Sequence, residues 1–486
     1  MRILSILKSE FFFLSLIIIL GLILRIYKID APIADWHSWR QADTAAVSRN
    51  FIKEGFDPFR PKFDDMSAIS EVPTLNPSRF RFVEFPVYNI LVYPFYLLFG
   101  VVDKYHRLVS VIVSLGSSIF LYLIVKKYTD KLLAFFSALT FTILPFNVFF
   151  SRTTLPEPTF IFFALGMMYF VDRWIWEPNN WRISILGFIF MSVAFLIKPW
   201  AIFFYLPLIY SVFKRKFFAR FIIFSLLAIG PFILWRLWIL QQPEGIPASS
   251  WLLNGDGIRF RPAFWWWIVS ERMGREILGV SGLALFIFGL ILRPRNGNYF
   301  LHLWVFSIFL YFVIFSTGNV RHNYYQLLFV PPASVFMAIG FLTLLRGERI
   351  LIPRFFTIFA GLFLYILAIY FGYKQVVGFY QINNPVIVEA GKVADQILPQ
   401  NAVVVAPYNG DTAFLYQINR PGWPVVPFQL KDLVTDYGVT HYISTTKDAK
   451  TAWVMRHFLV LENTPNYVIA DLTKITKSFD KEDPEP

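Results

Sequence analysis

The sequence predicts an α-helical polytopic membrane protein with about eleven transmembrane helices and a small C-terminal extracytoplasmic α/β domain. Three observations predict it. The 486 residues are 56% hydrophobic and 19% aromatic but only 16% charged, with a mean hydropathy of +0.53, which is outside the balance of soluble globular domains. Apolar runs of spanning length recur at about 11–27, 107–125, 131–150, 154–172, 183–198, 200–213, 219–240, 277–292, 299–316, 324–345 and 353–373. From about Pro385 the composition changes to that of a soluble domain.

The segment Met1–Tyr27 has a basic start and a long apolar run but no small-x-small cleavage site, so it reads as a retained first helix. Arg2 and Lys8 place the N-terminus in the cytoplasm. The connections with Lys126-Lys127, Arg173, Lys214-Arg215-Lys216, Arg293/Arg295 and Arg346/Arg349 must then lie on the same side. They do so if Pro86–Phe99, which contains two prolines, does not cross and instead lies at the interface or re-enters the membrane. The predicted division is a membrane domain at 1–379, with a first outer loop at 28–85, and an extracytoplasmic domain at 380–486. In the latter, GKVADQILP and KDLVTDYG read as helices, and NAVVVAP and HYISTT as strands. The final DKEDPEP reads as a disordered tail.

Several function classes are excluded at this stage. The net charge of +13 is what cytoplasmic Lys and Arg give a membrane protein, so no nucleic-acid partner is expected. With no cysteine there is no disulfide, thiolate metal site or cysteine nucleophile. The C-terminal region has no GxGxxG or Walker loop, so no nucleotide cofactor is expected.

The polar candidates collect on the predicted outer face. The densest is Trp36–Thr44, just after the first apolar run. Charge placed beside a membrane is costly unless it binds something charged. Asp43 opens a segment, RQADTAAVSRNFIKEG, whose pattern suits an interfacial amphipathic helix. It reads either as a reacting carboxylate or as a first-turn acid favoured by the helix dipole. Arg40 suits an ion pair with Asp43 or a bidentate phosphate contact, and His37 is a candidate metal ligand. Glu157 sits between Pro156 and Pro158, which are expected to keep its backbone non-helical, with Arg152 as an alternative ion-pair partner. Glu84, at the mouth of the interfacial helix, is a further acid. Lys198 follows an apolar run and precedes Pro199-Trp200, and Arg321-His322 precedes Tyr324-Tyr325-Gln326. These suit either a phosphate or anchoring in an aromatic belt. Carboxylates with nearby Lys and Arg at a membrane face suit a reaction on a lipid-linked phosphate.

The segments WRQADTAAVSRNF, FPVYNILVYPFYLLFG, SRTTLPEP, IKPW and RHNYYQLLFVPP, in this order, resemble bacterial family-39-like glycosyltransferases. These belong to the membrane-embedded GT-C class, with the dolichyl-phosphate-mannose protein mannosyltransferases and the lipid A aminoarabinose transferase. The resemblance covers roughly residues 1–375. It implies inverting transfer of a sugar from a polyprenyl-phosphate carrier to an extracytoplasmic acceptor, whether lipid, glycan or protein hydroxyl. The family's first-loop acid falls on Asp43 and its second acidic site on Glu157. Donor-phosphate positions fall on Lys198 and Arg321, with His322 and Arg40 beside them. A divalent metal ion is a candidate cofactor, with Asp43, Glu157, Glu84 and His37 as its ligands. Two departures stand out: Thr44 follows Asp43 where many relatives have an Asp-Glu pair, and Glu84-Phe85 stands where a histidine often precedes the proline. The rival reading is a polyprenyl-linked sugar transporter without transferase activity, which would line a path across the membrane with polar residues.

Overall fold

In the computed structural model, which describes residues 10–294, 297–347, 352–427 and 429–477, every apolar run expected from the sequence carries a helix. Arg2, Lys8, Arg295, Arg349 and the DKEDPEP tail lie outside the described residues. Among the described residues, five helical stretches are long and apolar enough to cross a membrane: Lys104–Tyr128, Glu157–Trp176, Phe218–Ile239, Asn323–Arg346 and Arg354–Ile397. A sixth is added if Pro262–Ile277 and Ser281–Ile291, bent by 113°, count as one span. Lys131–Ile143, Trp181–Ile197 and Phe300–Ile314 are apolar but shorter, as is the 16-residue Glu10–Arg25. Proline punctuation divides two of the expected runs. Pro145 opens a separate short helix after Lys131–Ile143, and Pro199 starts a 3₁₀ turn ahead of Tyr205–Arg215.

The chain divides into two compact units. The first comprises Met1–Ile29, Arg107–Leu237 and Ser249–Tyr380; the second comprises Asp30–His106, Trp238–Ala248 and Gln381–Pro486.

The first unit is the helical one. Its helices Ser281–Ile291 and Val330–Arg346 approach backbone to backbone through two glycines. A Cβ on Gly289 would lie 2.0 Å from the Phe336 carbonyl oxygen, and one on Gly340 2.1 Å from that of Leu285. Small residues of this kind let apolar helices pack where no hydrophobic force drives them together. Gly340→Val is therefore expected to part the helices and destabilise the protein by about 1–3 kcal/mol or more. Thermal unfolding in detergent measures this, with Gly230→Ala, where a Cβ meets nothing within 4 Å, as the unaffected control.

The second unit contains a five-stranded sheet in the order β2-β1-β3-β5-β4, formed by β1 (Val404–Val405), β2 (Gly422–Trp423), β3 (His441–Ser444), β4 (Phe458–Asn463) and β5 (Val468–Ile475). β1 pairs in parallel with β2 and β3, and β5 runs antiparallel to β3 and β4. Alternation along the strands sends side chains to both faces. Val404, Ile443 and Ile469 pack with Ile387, Ala390 and Ala394 of the helix Pro385–Ile397. Val405, Tyr442 and Ala470 pack with Leu430, Leu433 and Val454 of the helices Leu430–Tyr437 and Ala449–His457. The result is a three-layered α/β/α arrangement. The first loop extends it: the Gly422 N–H donates to the Asp64 carbonyl at 2.9 Å, and the Met66 N–H donates to the Gly422 carbonyl at 2.8 Å.

One expectation is corrected here. The helix Ser38–Lys53 is not an amphipathic helix resting at an interface: almost all its residues up to Phe51 are buried. Its Ala42, Ala45, Ala46 and Phe51 join the same core as Phe414, Leu415 and Ile418. Its alanines let a second helix approach closely, so tertiary packing covers the face that the pattern assigned to lipid.

Candidate active site

In the second unit Asp43 is 3% exposed and lies on the second turn of Ser38–Lys53, held from two sides. Arg81 Nη2 is 2.6 Å from Oδ2, and the Thr412 hydroxyl donates to Oδ1 at 2.6 Å. Burial pushes the Asp43 carboxyl above the usual carboxylate range, against the opposing pull of Arg81, the Thr412 hydrogen bond and Arg40. Arg81 itself lies over the Phe63 ring at 4.9 Å, which fixes its guanidinium. Arg40, one turn before Asp43, is turned to Glu84, donating to both carboxylate oxygens at 2.7 and 2.9 Å. The neighbouring Arg49 pairs with Asp64 and donates to the Tyr416 carbonyl at 2.8 Å.

Two further carboxylates belong to this cluster. Burial raises Asp65 to about 6, with the Asp43 charge adding to the rise and the Ser67 N–H bond to Oδ1 opposing it. Burial also raises Asp411, again with Asp43 adding to it, while Ser38 Oγ donates to Asp411 Oδ2 at 3.0 Å. The sign for stability follows directly. A carboxyl raised in the folded state stabilises the fold below its unfolded value near 4, and that contribution is lost as pH rises through about 6. Asp65→Asn is therefore expected to stabilise the protein at pH 8 by about 3 kcal/mol and to change little at pH 4. Unfolding temperatures at the two pH values check this.

In the first unit Glu157 is fully buried as the first residue of Glu157–Trp176. The expectation of a non-helical backbone there is corrected. Pro158 occupies the first helical turn, where its missing N–H costs no hydrogen bond. Lys198, at the junction of Trp181–Ile197 with the turn Pro199–Phe204, places Nζ 2.9 Å from Glu157 Oε1. Neither Glu157 oxygen has a hydrogen-bond partner among the described residues, so Lys198 holds it as an ion pair. The Lys198 ammonium also sits over Trp200 at 4.4 Å and Tyr325 at 5.6 Å. Arg152, the alternative partner of Glu157, donates to the Lys28 carbonyl at 2.7 Å and lies over the Tyr380 ring at 4.9 Å. Arg321 is 56% exposed, 3.6 Å from Asp256 and over the Trp251 ring at 5.2 Å. His322 packs among Trp251, Tyr324 and Tyr325.

The comparisons with known proteins bear on this arrangement. The family described as dolichyl-phosphate-mannose-protein mannosyltransferase matches residues 84–238. Among solved structures, ArnT from Cupriavidus metallidurans bound to undecaprenyl phosphate is similar over 95% of this chain and 98% of its own, with a TM-score of 0.67 and 12% identity. The fold is that of the GT-C class of membrane glycosyltransferases. The oligosaccharyltransferase AglB from Archaeoglobus fulgidus, in complex with an inhibitory peptide and a dolichol-phosphate, has a TM-score of 0.55 and 10% identity. That match covers 94% of this chain and 74% of AglB. A protein of Aquifex aeolicus (strain VF5) is 32% identical over 129 residues, 26% of this chain and 28% of that relative's length.

Within the GT-C fold, the sequence-predicted residues are placed as follows. Asp43, Arg40, Glu84 and His37 fall in the second unit, and Glu157, Lys198, Arg321 and His322 in the first. Arg40 meets Glu84 rather than Asp43, and Lys198 meets Glu157. His37 takes a left-handed backbone (φ 56°) ahead of its helix, and its ring lies edge-on to Trp36. Of the four side chains expected to share a metal ion, the three in the second unit, His37, Asp43 and Glu84, do not gather as ligands. Among the described residues no three His, Asp or Glu side chains form such a group, and the carboxylates of Glu84 and Asp43 are directed at arginines. Sequence reasoning missed Arg81, Thr412, Asp65 and Asp411. Arg81 and Asp65 lie in the irregular first loop, where no period marks them. Thr412 and Asp411 are about 370 residues from Asp43, and only folding brings them there.

Proposed function

We propose that the chain is an inverting glycosyltransferase that moves a sugar from a polyprenyl-phosphate carrier to the hydroxyl of an extracytoplasmic acceptor. The observation that carries this reading is Asp43: a buried carboxylate with a raised proton affinity, held at both oxygens, on the first loop of a GT-C fold. In this reading Asp43 takes the acceptor's proton as the acceptor oxygen forms its bond to the anomeric carbon. The bond from that carbon to the phosphate oxygen breaks, and polyprenyl phosphate leaves with the electron pair. Arg81 and Thr412 hold the carboxylate in place. Lys198, beside Glu157, and Arg321 are the proposed hydrogen-bond donors to the donor phosphate.

The undecaprenyl phosphate bound by ArnT and the dolichol-phosphate bound by AglB support a donor of this chemistry. The test incubates the purified protein with a panel of polyprenyl-phosphate sugars and acceptors and measures release of free polyprenyl phosphate. Release that depends on Asp43 is the expected result. Translocation of the lipid-linked sugar without release from any donor would replace this reading with the transporter.

A further inference from the structure

The first loop, within the second unit, forms a polar cavity of about 320 Å³ that the chemistry proposed above does not use. That volume is at the lower end of the about 300–1,000 Å³ of ligand pockets and suits one or two small rings. Asn50 and Phe51 in the last turn of the helix Ser38–Lys53 form one wall, with Glu54 just past it. Asp57, Arg60, Lys62 and Phe80 of the loop form the other.

The lining offers both donors and acceptors. Asn50 is 4% exposed and donates its two amide N–H groups, to the Lys62 carbonyl and to Asp64 Oδ1, each at 3.1 Å. Its Oδ1 is left as an acceptor in the wall, with no donor among the described residues. Asp57 Oδ1 accepts the Phe59 and Arg60 N–H groups at 3.0 and 3.3 Å, while Oδ2 has the Arg60 guanidinium at 3.6 Å. That guanidinium lies over the Trp238 ring at 5.7 Å. Lys62 gives one of its three N–H groups to Glu54, at 3.2 Å. Two carboxylates, Glu54 and Asp57, thus balance two cations, Arg60 and Lys62, and the lining is formally neutral.

The cavity is tied to Asp43 by position. Asn50 follows Asp43 by seven residues, which puts it on the same helix face and about 10 Å along the axis. Phe80 pairs with Lys62 across an antiparallel bridge, and the next residue, Arg81, holds Asp43. We propose that this cavity binds a neutral sugar ring of a glycan acceptor, beyond the residue whose hydroxyl reaches Asp43; the acceptor role rests on the transferase reading. Hydroxyls both donate and accept, so they match a mixed and balanced lining. A phosphate would meet Glu54, Asp57 and Asn50 Oδ1, and a cation would meet Arg60 and Lys62. Phe51 and Phe80 supply ring surface for the sugar's C–H edges. The donor's own sugar must sit beside Asp43, two helix turns away, where its anomeric carbon meets the accepting oxygen.

The test presents the full-length protein, in a mild detergent, to an array of neutral, amino-sugar and acidic oligosaccharides. Neutral oligosaccharides are expected to be retained, about tenfold more weakly by Arg60→Gln and by Asp57→Asn. Lys431→Gln, exposed on the helix Leu430–Tyr437, should leave retention unchanged. The Arg60 side chain is 54% exposed, so Arg60→Gln decides alone if Asp57→Asn does not fold. Retention needs no turnover, so Asp43→Asn should retain the same sugars. Retention by both proteins, with no polyprenyl phosphate released from any donor, would overturn the acceptor role through the transferase reading and not through the cavity. The cavity itself would be overturned by no retained oligosaccharide, by an equal loss in Lys431→Gln, or by no loss in Arg60→Gln. Competition by phosphocholine at matched concentration would do so as well, assigning the cavity to a zwitterionic lipid headgroup.

Discussion

Replacing Asp43 by asparagine is expected to slow release of polyprenyl phosphate by about 10²–10⁴-fold, the usual contribution of a positioned general base. Asparagine keeps the shape and can still accept the Thr412 hydroxyl at Oδ1, but its amide NH₂ then faces Arg81 in place of a carboxylate oxygen, so the unfolding temperature is measured beside the activity. A variant that kept full activity and unfolded at the same temperature would remove Asp43 from the reaction. The pH profile gives an independent reading. Asp43 is active as the carboxylate, and burial raises its proton affinity, so activity should fall as pH drops through a value above the ordinary aspartate range. The Thr412 hydrogen bond pulls that value down. Thr412→Val should therefore move the acid limb to higher pH without abolishing the plateau. An unmoved limb would mean that the limb belongs to another group.

The second large effect is in the other unit. Lys198→Met leaves the fully buried Glu157 without its cation, and breaking a buried pair in this way costs about 3–5 kcal/mol. Glu157→Gln strands the ammonium, but more mildly, since the Trp200 and Tyr325 rings still face it. The double variant Lys198→Met/Glu157→Gln removes both charges and should recover most of the loss. Unfolding of the four proteins in detergent gives the coupling. A coupling near zero would show that water reaches the pair.

Much of the architecture was legible in the sequence. A membrane helix must satisfy its own backbone and expose apolar side chains, so composition and run length mark it without reference to partners. For the same reason the helices and strands expected after Pro385 fall where periodicity put them: Pro385–Ile397, Val404–Val405, Leu430–Tyr437 and His441–Ser444. The helix Ser38–Lys53 was found, but its surroundings were not. Its pattern could not show that Phe414 and Leu415 cover the side assigned to lipid.

The candidate site divides in the same way. Asp43, Glu157 and Lys198 could be picked out because a charge next to apolar sequence is costly wherever the chain goes. Their partners could not, because pairing depends on which loop returns to which helix. Arg40 looked like the partner of Asp43 by spacing, yet it faces Glu84, while Arg81 and Thr412 take Asp43. By itself the sequence determined a polytopic helical membrane protein with a soluble α/β region and a polar first loop. Tertiary structure decided that this loop shares a core with the C-terminal segment, and which cation holds which carboxylate. The physical reason is range. Hydropathy and periodicity act within one element, whereas burial and ion pairing are set by groups hundreds of residues apart.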